Sequence, residues 1–374
     1  MSSTLKMGMI GGGPGSMIGD IHRITATASG KAELVCGAFS STKEKSLEKG
    51  KSLGLDENRI YGSIAEMINK EAQLDESQRM DFVAIVTPNH LHVEAATLAL
   101  NAGLHVICDK PLAFDYAEAL EFQKVVEKSK GYFAMSYTYR GYPVLEKAKG
   151  IIEAGHLGKI RKVKVDYSQG WLSQLLEAKG HKQASWRTNP EKSGKGGTIA
   201  DIGTHAFNLL ESVSGLKVKS VMADVSILVE GRKIDDDTNV LLEMENGAKG
   251  YLSSSQICTG EDQDLSLHIY GSKAGLVWNH NQPNLLTLKY PDFREESIKG
   301  LEKDIQKKSE LEIPGQSPYF TEAFQRIYEG FFDTILNNES KKDFVKANID
   351  DGVRGMLFIE KAIQSSKERK WVEL

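Results

Sequence analysis

The run Leu104-His105-Val106-Ile107-Cys108-Asp109-Lys110-Pro111 sets a carboxylate and an amine where an apolar segment stops. An amine placed there can exchange a proton with a substrate hydroxyl. The proline fixes the turn and biases Lys110 towards an extended backbone, so its side chain projects from the strand end. A second group, Asp201-Ile202-Gly203-Thr204-His205, places an imidazole four residues after a carboxylate. On a helix these two share one face, and an acid beside an imidazole sets its tautomer. A third, Gly11-Gly12-Gly13-Pro14-Gly15-Ser16, has the small residues that let a backbone approach a phosphate. Each has a plainer reading: a solvated lysine, a surface Asp/His pair, a structural turn.

The surrounding elements weigh against the plain readings. Leu5 to Ile10 is predicted to be a strand, and a helical pattern follows the glycines, the context a dinucleotide fingerprint requires. Gly11 permits the turn and Gly13 the approach to a pyrophosphate, with Met17 and Ile18 opening the helix. The spacing departs from GxGxxG, because five residues separate Gly13 from Gly19. Ala32 to Phe39 forms a second predicted strand. Where an NAD site commonly has an acid for the ribose hydroxyls, this chain has Ser40, followed by Ser41 and Lys43. Those residues leave NAD and NADP both open. Ser41 with Glu44, and Ser63 with Glu66, also read as capping boxes. Asp81 to Val86 is a buried strand leading into Thr87-Pro88-Asn89-His90-Leu91-His92, and a helical stretch then returns to the strand at 104–108. Such a βαβ unit is parallel, so the glycine, Thr87 and Asp109 loops should open on one sheet edge.

Beyond residue 150 the periodicity changes. Val163, Val165 and Tyr167 alternate with polar residues, as do residues 221–229 and 240–244, and Asn246-Gly247 is a hairpin turn into 248–255. Leu265, Leu267 and Ile269 add another strand. This is a mostly antiparallel sheet with one face packed on helices and the other open. The domains expected are 1–136, 137–345, and a closing helix within 346–374 that packs back on the body.

Composition narrows the partners. A chain of 374 residues exceeds one ordinary core. With a formal charge of -4 and no basic block, nucleic acid and anionic membrane are poor partners. Cys36, Cys108 and Cys258 are widely spaced, which suits a reducing compartment and offers no zinc site. No apolar run nears the ~18 residues of a membrane span. Met1 to Lys6 lead straight into a strand without a signal-peptide pattern, so a cytoplasmic protein is expected.

These motifs together resemble the Gfo/Idh/MocA family of NAD(P)-dependent oxidoreductases, from the first strand to the end of the chain, with 172–184 and 279–318 the least matched parts. Asp109-Lys110-Pro111 is similar to the family's acid-Lys-Pro triplet, and Thr87, Pro88, Asn89 and His92 to its Thr-Pro-Asn loop and downstream histidine. Ile18-Gly19-Asp20-Ile21-His22 resembles its Ile-Gly-x-x-His, which makes the glycine loop longer by three residues. Asp201 to His205 matches its D-x-G-x-H. The resemblance implies an α/β fold: a Rossmann doubly wound parallel sheet, then an α+β domain whose open sheet face is a homo-oligomer interface.

The implied activity is oxidation of a secondary hydroxyl of a sugar, glycoside or cyclic polyol. Lys110 and His205 are then the acid-base pair, with Asp201 beside them. Cofactor contacts implied are Gly11, Gly13, Met17, Ile18, Ser40, Ser41, Lys43, Thr87, Pro88, Asn89, His92, Asp109, Lys110, Trp186 and Arg187. Lys110, Tyr139, Trp171, Arg187, Asp201 and His205 are the substrate candidates, and Arg140 and Arg187 each suit an anionic substrate. No metal is implied. An NAD-dependent glycosidase using transient sugar oxidation, and a nucleotide-binding regulator without turnover, are the two alternatives.

Overall fold

A computed structural model describes residues 4–300, 317–337 and 347–374. They form two compact units. One takes the described residues of Met1–Ala113, Ala117–Gly141 and Lys308–Val353, the other those of Phe114–Tyr116, Tyr142–Lys307 and Arg354–Leu374.

The first unit is built on five parallel strands: β1 (Leu5–Gly11), β2 (Ala32–Ala38), β3 (Phe82–Val86), β4 (His105–Cys108) and β5 (Phe133–Met135), in the order β2-β1-β3-β4-β5. All five residues of β3 are buried, as expected of a central strand covered on both faces. Five helices connect or flank the strands: α1 (Met17–Thr27), α2 (Lys43–Ser52), α3 (Ile64–Glu71), α4 (His92–Asn101) and α5 (Tyr116–Lys128). Capping places several starts. Ser16 accepts from the Gly19 amide at 3.2 Å, and Ser63 from Glu66 at 3.2 Å. The α2 cap is Thr42, one residue beyond the expected Ser41, and it accepts from the Lys45 amide.

A helix far along the chain completes this core. Pro318–Leu336 lays Phe324, Ile327, Tyr328, Phe331 and Phe332 against Leu5, Met7, Ile21, Phe82 and Ile107. Burying each aromatic ring contributes roughly 2 kcal/mol, and Phe331 meets Phe82 edge to face at 5.6 Å. The sequence boundary at 345 had put this helix with the second domain; its phenylalanines instead serve the first.

The second unit carries a nine-stranded sheet: β6 (Ile160–Ser168), β7 (Val218–Ser226), β8 (Asp237–Met244), β9 (Lys249–Ser255), β10 (Asp264–Gly271), β11 (Gly275–Asn279), β12 (Leu285–Lys289), β13 (Glu295–Lys299) and β14 (Val372–Glu373). Their order is β13-β12-β11-β10-β6-β9-β8-β7-β14, antiparallel except for β6 beside β9. The sequence pattern revealed β6 to β10 but not the rest. β13 buries none of its residues, so it has no alternation to read. The tail, expected only as a helix, follows Ile349–Glu368 with β14, which pairs with β7 through Val372 and Val221.

Candidate active site

Parallel register aligns three loops of the first unit. Gly11 lies opposite Val86, and Ile85 opposite Cys108, so the residues that follow each strand emerge along one edge. Gly11 has φ +88°, and a β-carbon there would stand 2.7 Å from the Val86 carbonyl oxygen. At Gly13 an added β-carbon would lie 2.7 Å from the Phe39 carbonyl, with Ser40 close behind. Only glycine keeps this loop low over the sheet. Beyond it, Met17 begins α1 and is 58% exposed, while Ile18 packs into the core rather than outward.

The acid-Lys-Pro turn is anchored through its acid. Asp109 Oδ1 accepts from the Lys110 amide at 2.9 Å and the Ser136 hydroxyl at 2.8 Å. Burial pushes its carboxyl up, but His22, Lys110, His92 and the Ser136 hydroxyl outweigh that and hold it below the usual range. The His92 ring lies between two carbonyls, with Nδ1 2.7 Å from Pro111 O and Nε2 2.9 Å from Thr87 O. It was expected at the cofactor. Buried, with both nitrogens against the chain, it instead ties the Thr87 loop to the Pro111 turn. Behind them His22 is buried against the Tyr328 hydroxyl at 2.7 Å, and burial draws its pKa down to about 4.

The edge suits a dinucleotide. Thr87 Oγ1 is buried with no hydrogen-bond partner among the described residues, a group that a bound polar ligand would satisfy. The Gly13 cradle leaves room for a phosphate before the amides that open α1. Pro88 and Asn89 enter the short turn after Thr87. Lys43 sits 3.8 Å from Glu66, a partner that competes with any 2′-phosphate.

The second unit holds the other group. Asp201 lies in a wide π-type turn, Ile199–Gly203, that runs into the helix Thr204–Ser214, with His205 in its first turn. Such turns recur at functional sites. Asp235 grips its start: its carboxylate accepts from the Gly197 amide at 2.6 Å and the Ile199 amide at 2.9 Å. Burial outweighs these bonds and raises the Asp235 pKa to about 6. Asp201 Oδ2 accepts from the Gln256 amide at 2.8 Å and faces Arg187 Nε at 3.3 Å.

Arg187 is partnered within its own unit. It also donates to Gln183 Oε1 at 2.6 Å and lies over the Trp186 ring at 4.2 Å. Arg140 pairs with Asp351 at 3.2 Å. Both arginines, named from sequence as groups that could meet an anion, are already paired with a carboxylate. Tyr139 is 4% exposed and packed in the turn Thr138–Gly141, so it is a core ring and not a sugar platform. Trp171 is half-buried and donates to Gln169 Oε1 at 3.0 Å. Asp235 and Gln256 were not foreseen, because nothing near them in sequence marks them.

Among the described residues, no group of three or more His, Cys, Asp or Glu is placed to hold a metal ion, and no helix is long and apolar enough to cross a membrane.

Comparison with known proteins agrees with this layout. Residues 5–137 match the family model described as oxidoreductase family, NAD-binding Rossmann fold, and residues 145–277 match that of the GFO/IDH/MocA C-terminal domain. The chain is 31% identical to an uncharacterized oxidoreductase, YfiI, of Bacillus subtilis, over 100% of its length and 98% of the relative's. It is 26% identical to a levoglucosan dehydrogenase of Pseudarthrobacter phenanthrenivorans over 76% of each chain. Among solved structures, an inositol dehydrogenase homolog from Azotobacter vinelandii complexed with NAD+ superposes with a TM-score of 0.91 at 28% identity, covering 100% of this chain and 98% of that one.

Proposed function

This chain belongs to the Gfo/Idh/MocA family of oxidoreductases, and from that membership we propose that it oxidises a secondary hydroxyl of a sugar, glycoside or cyclic polyol with NAD as hydride acceptor. The observation that carries the reading is the shared edge: the glycine loop, Thr87 and Asp109-Lys110 all follow the carboxyl ends of adjacent parallel strands. The names of two relatives, a levoglucosan dehydrogenase and an inositol dehydrogenase homolog, support a cyclic polyhydroxylated substrate.

A bound nicotinamide cofactor would supply the hydride chemistry; the protein supplies orientation and a proton path. In this proposal the glycine loop and the opening of α1 would hold the pyrophosphate, and Thr87 Oγ1 would find its partner on the cofactor. Asp109 fixes the turn that carries Lys110. Lys110 and His205 act as the acid-base pair for the reacting hydroxyl, and Asp201 orients His205 or binds a neighbouring hydroxyl. NAD is favoured over NADP because Lys43 leans on Glu66. Arg140 and Arg187, already paired, favour an uncharged substrate over a phosphorylated one.

The test is a panel of myo-inositol, levoglucosan, aryl glycosides and glucose 6-phosphate with each nicotinamide, followed by reduced-cofactor absorbance. Net reduction of NAD+ by an uncharged sugar or polyol is expected. No reduction across the panel would contradict the proposal, and aglycone release without net reduction would point to the redox-assisted glycosidase.

A further inference from the structure

Gln256 follows β9 directly and is 2% exposed. Its backbone is held on both sides: the amide donates to the Asp236 carbonyl at 3.0 Å, and the carbonyl accepts from the Leu172 amide at 3.0 Å. Its side-chain nitrogen lies 2.8 Å from Asp201 Oδ2 and 3.2 Å from Gln169 Oε1. A carboxamide nitrogen has two N–H groups, and both are directed at oxygens that only accept.

The neighbouring residues fix the direction of this chain of bonds. Gln169 Oε1 also accepts from Trp171 Nε1 at 3.0 Å, an indole that can only donate. Gln169 Nε2 donates onward to the Tyr167 hydroxyl at 3.4 Å, which donates to Gln263 Oε1 at 3.0 Å. Turning the Gln256 amide over would set its carbonyl oxygen against two acceptors. The orientation is therefore single-valued, and it demands an acceptor at Asp201.

The segment that follows Trp171 is tied down by one arginine. The Arg232 side chain, 0% exposed, donates to the Leu172 carbonyl at 2.8 Å, the Gln174 carbonyl at 2.9 Å and Glu177 at 2.9 Å. A further bond to Asp236 at 3.2 Å links it to the strand end beside Gln256.

We propose that Gln256 is a positioning residue that acts through Asp201, fixing the carboxylate's rotamer, keeping it an acceptor and tying it to the Trp171 segment. This rests on the reading of Asp201 as a group at the reacting hydroxyl. A neutral donor suits the task, since it orients a carboxylate without a second full charge beside Arg187. In this unit Arg187, from the helix Lys182–Arg187, faces the Asp201 carboxylate, His205 lies four residues on in the first turn of the next helix, and Asp235 holds the start of the wide turn.

The experiment compares Gln256→Glu and Gln256→Met in the full-length protein. The first readout is the Asp201 carboxyl titration by carbon-13 NMR on aspartate-labelled protein, which needs no substrate; Asp201→Asn identifies its resonance. Removing a hydrogen-bond donor disfavours the carboxylate, and a facing carboxylate does so more strongly. The Asp201 midpoint should rise in Gln256→Met, and in Gln256→Glu the facing carboxyl pair should show one apparent midpoint raised by about one pH unit or more. The second readout is turnover of myo-inositol or levoglucosan with NAD+. Gln256→Met should lower kcat by about tenfold with the NAD+ dissociation constant unchanged, and Gln256→Glu should move the acidic limb of kcat/KM upward with the NMR midpoint.

An unmoved Asp201 midpoint in Gln256→Met, or wild-type kcat in that variant, would overturn the inference. The underlying reading fails differently: Asp201→Asn would then turn over like wild type. Collapse of Asp201→Asn beside wild-type behaviour of both Gln256 variants would defeat this inference alone.

Discussion

Single side chains on the strand-end edge are set by their neighbours' charge and polarity. His22 shows this through stability. Its folded pKa of about 4 lies below the ordinary 6.5, because burial outweighs the pull of Asp109. As pH falls below about 6.5, the unfolded chain takes a proton that the folded chain refuses. Stability present in full above that point is therefore lost progressively towards about pH 4, amounting to about 3 kcal/mol. Urea unfolding at about pH 7 and about pH 4.5 should show this loss in the wild type and a smaller one in His22→Asn. Equal acid sensitivity in the two would contradict the assignment. Gly13→Ala belongs to the same scale. A methyl 2.7 Å from the Phe39 carbonyl forces the loop to shift, and NADH fluorescence titration should show affinity weakened by about tenfold or more. Lys110, Asp201 and His205 were candidates from sequence because each lies in a short motif. Gln256 was not, since its partner Asp201 is 55 residues away and only the fold joins them.

Elements succeed or fail as predictions according to how local their causes are. The strand-turn-helix of the glycine loop, the βαβ unit and the Asn246-Gly247 hairpin are local, and all were readable. The α2 cap shifted from Ser41 to Thr42 because adjacent hydroxyls compete for one role. The wide turn at Ile199–Gly203 was unreadable, because its start is held by Asp235, 36 residues on from Ile199. Removing that grip by Asp235→Ala strands two buried amides at roughly 1–3 kcal/mol each. Thermal unfolding should fall by about 2–4 °C for each kcal/mol lost, with turnover reduced because the turn carries Asp201. A melting temperature within experimental error of wild type would show that the turn holds itself.

At the scale of the whole molecule, the pairing of helix Pro318–Leu336 with the core of the parallel sheet escaped the sequence. An aromatic-rich amphipathic helix states that it packs, but not against what. The open sheet face poses a complementary question. Met222 and Leu241 are cross-strand partners there, 38% and 50% exposed, and an apolar pair on a sheet face favours association. We expect the protein to sediment as a homo-oligomer and Leu241→Lys to shift it towards monomer; a monomeric wild type would contradict this.

The central claim is that Lys110 and His205 serve one hydroxyl, and a double-mutant comparison tests it most directly. Turnover is measured for Lys110→Ala, His205→Ala and the double variant, with NAD+ binding as the control. Each single change should cost about 10²–10⁴ in kcat while cofactor binding persists, and the double variant should be little worse than the poorer single one. Undiminished turnover in either single variant, or losses that simply multiply, would contradict the claim.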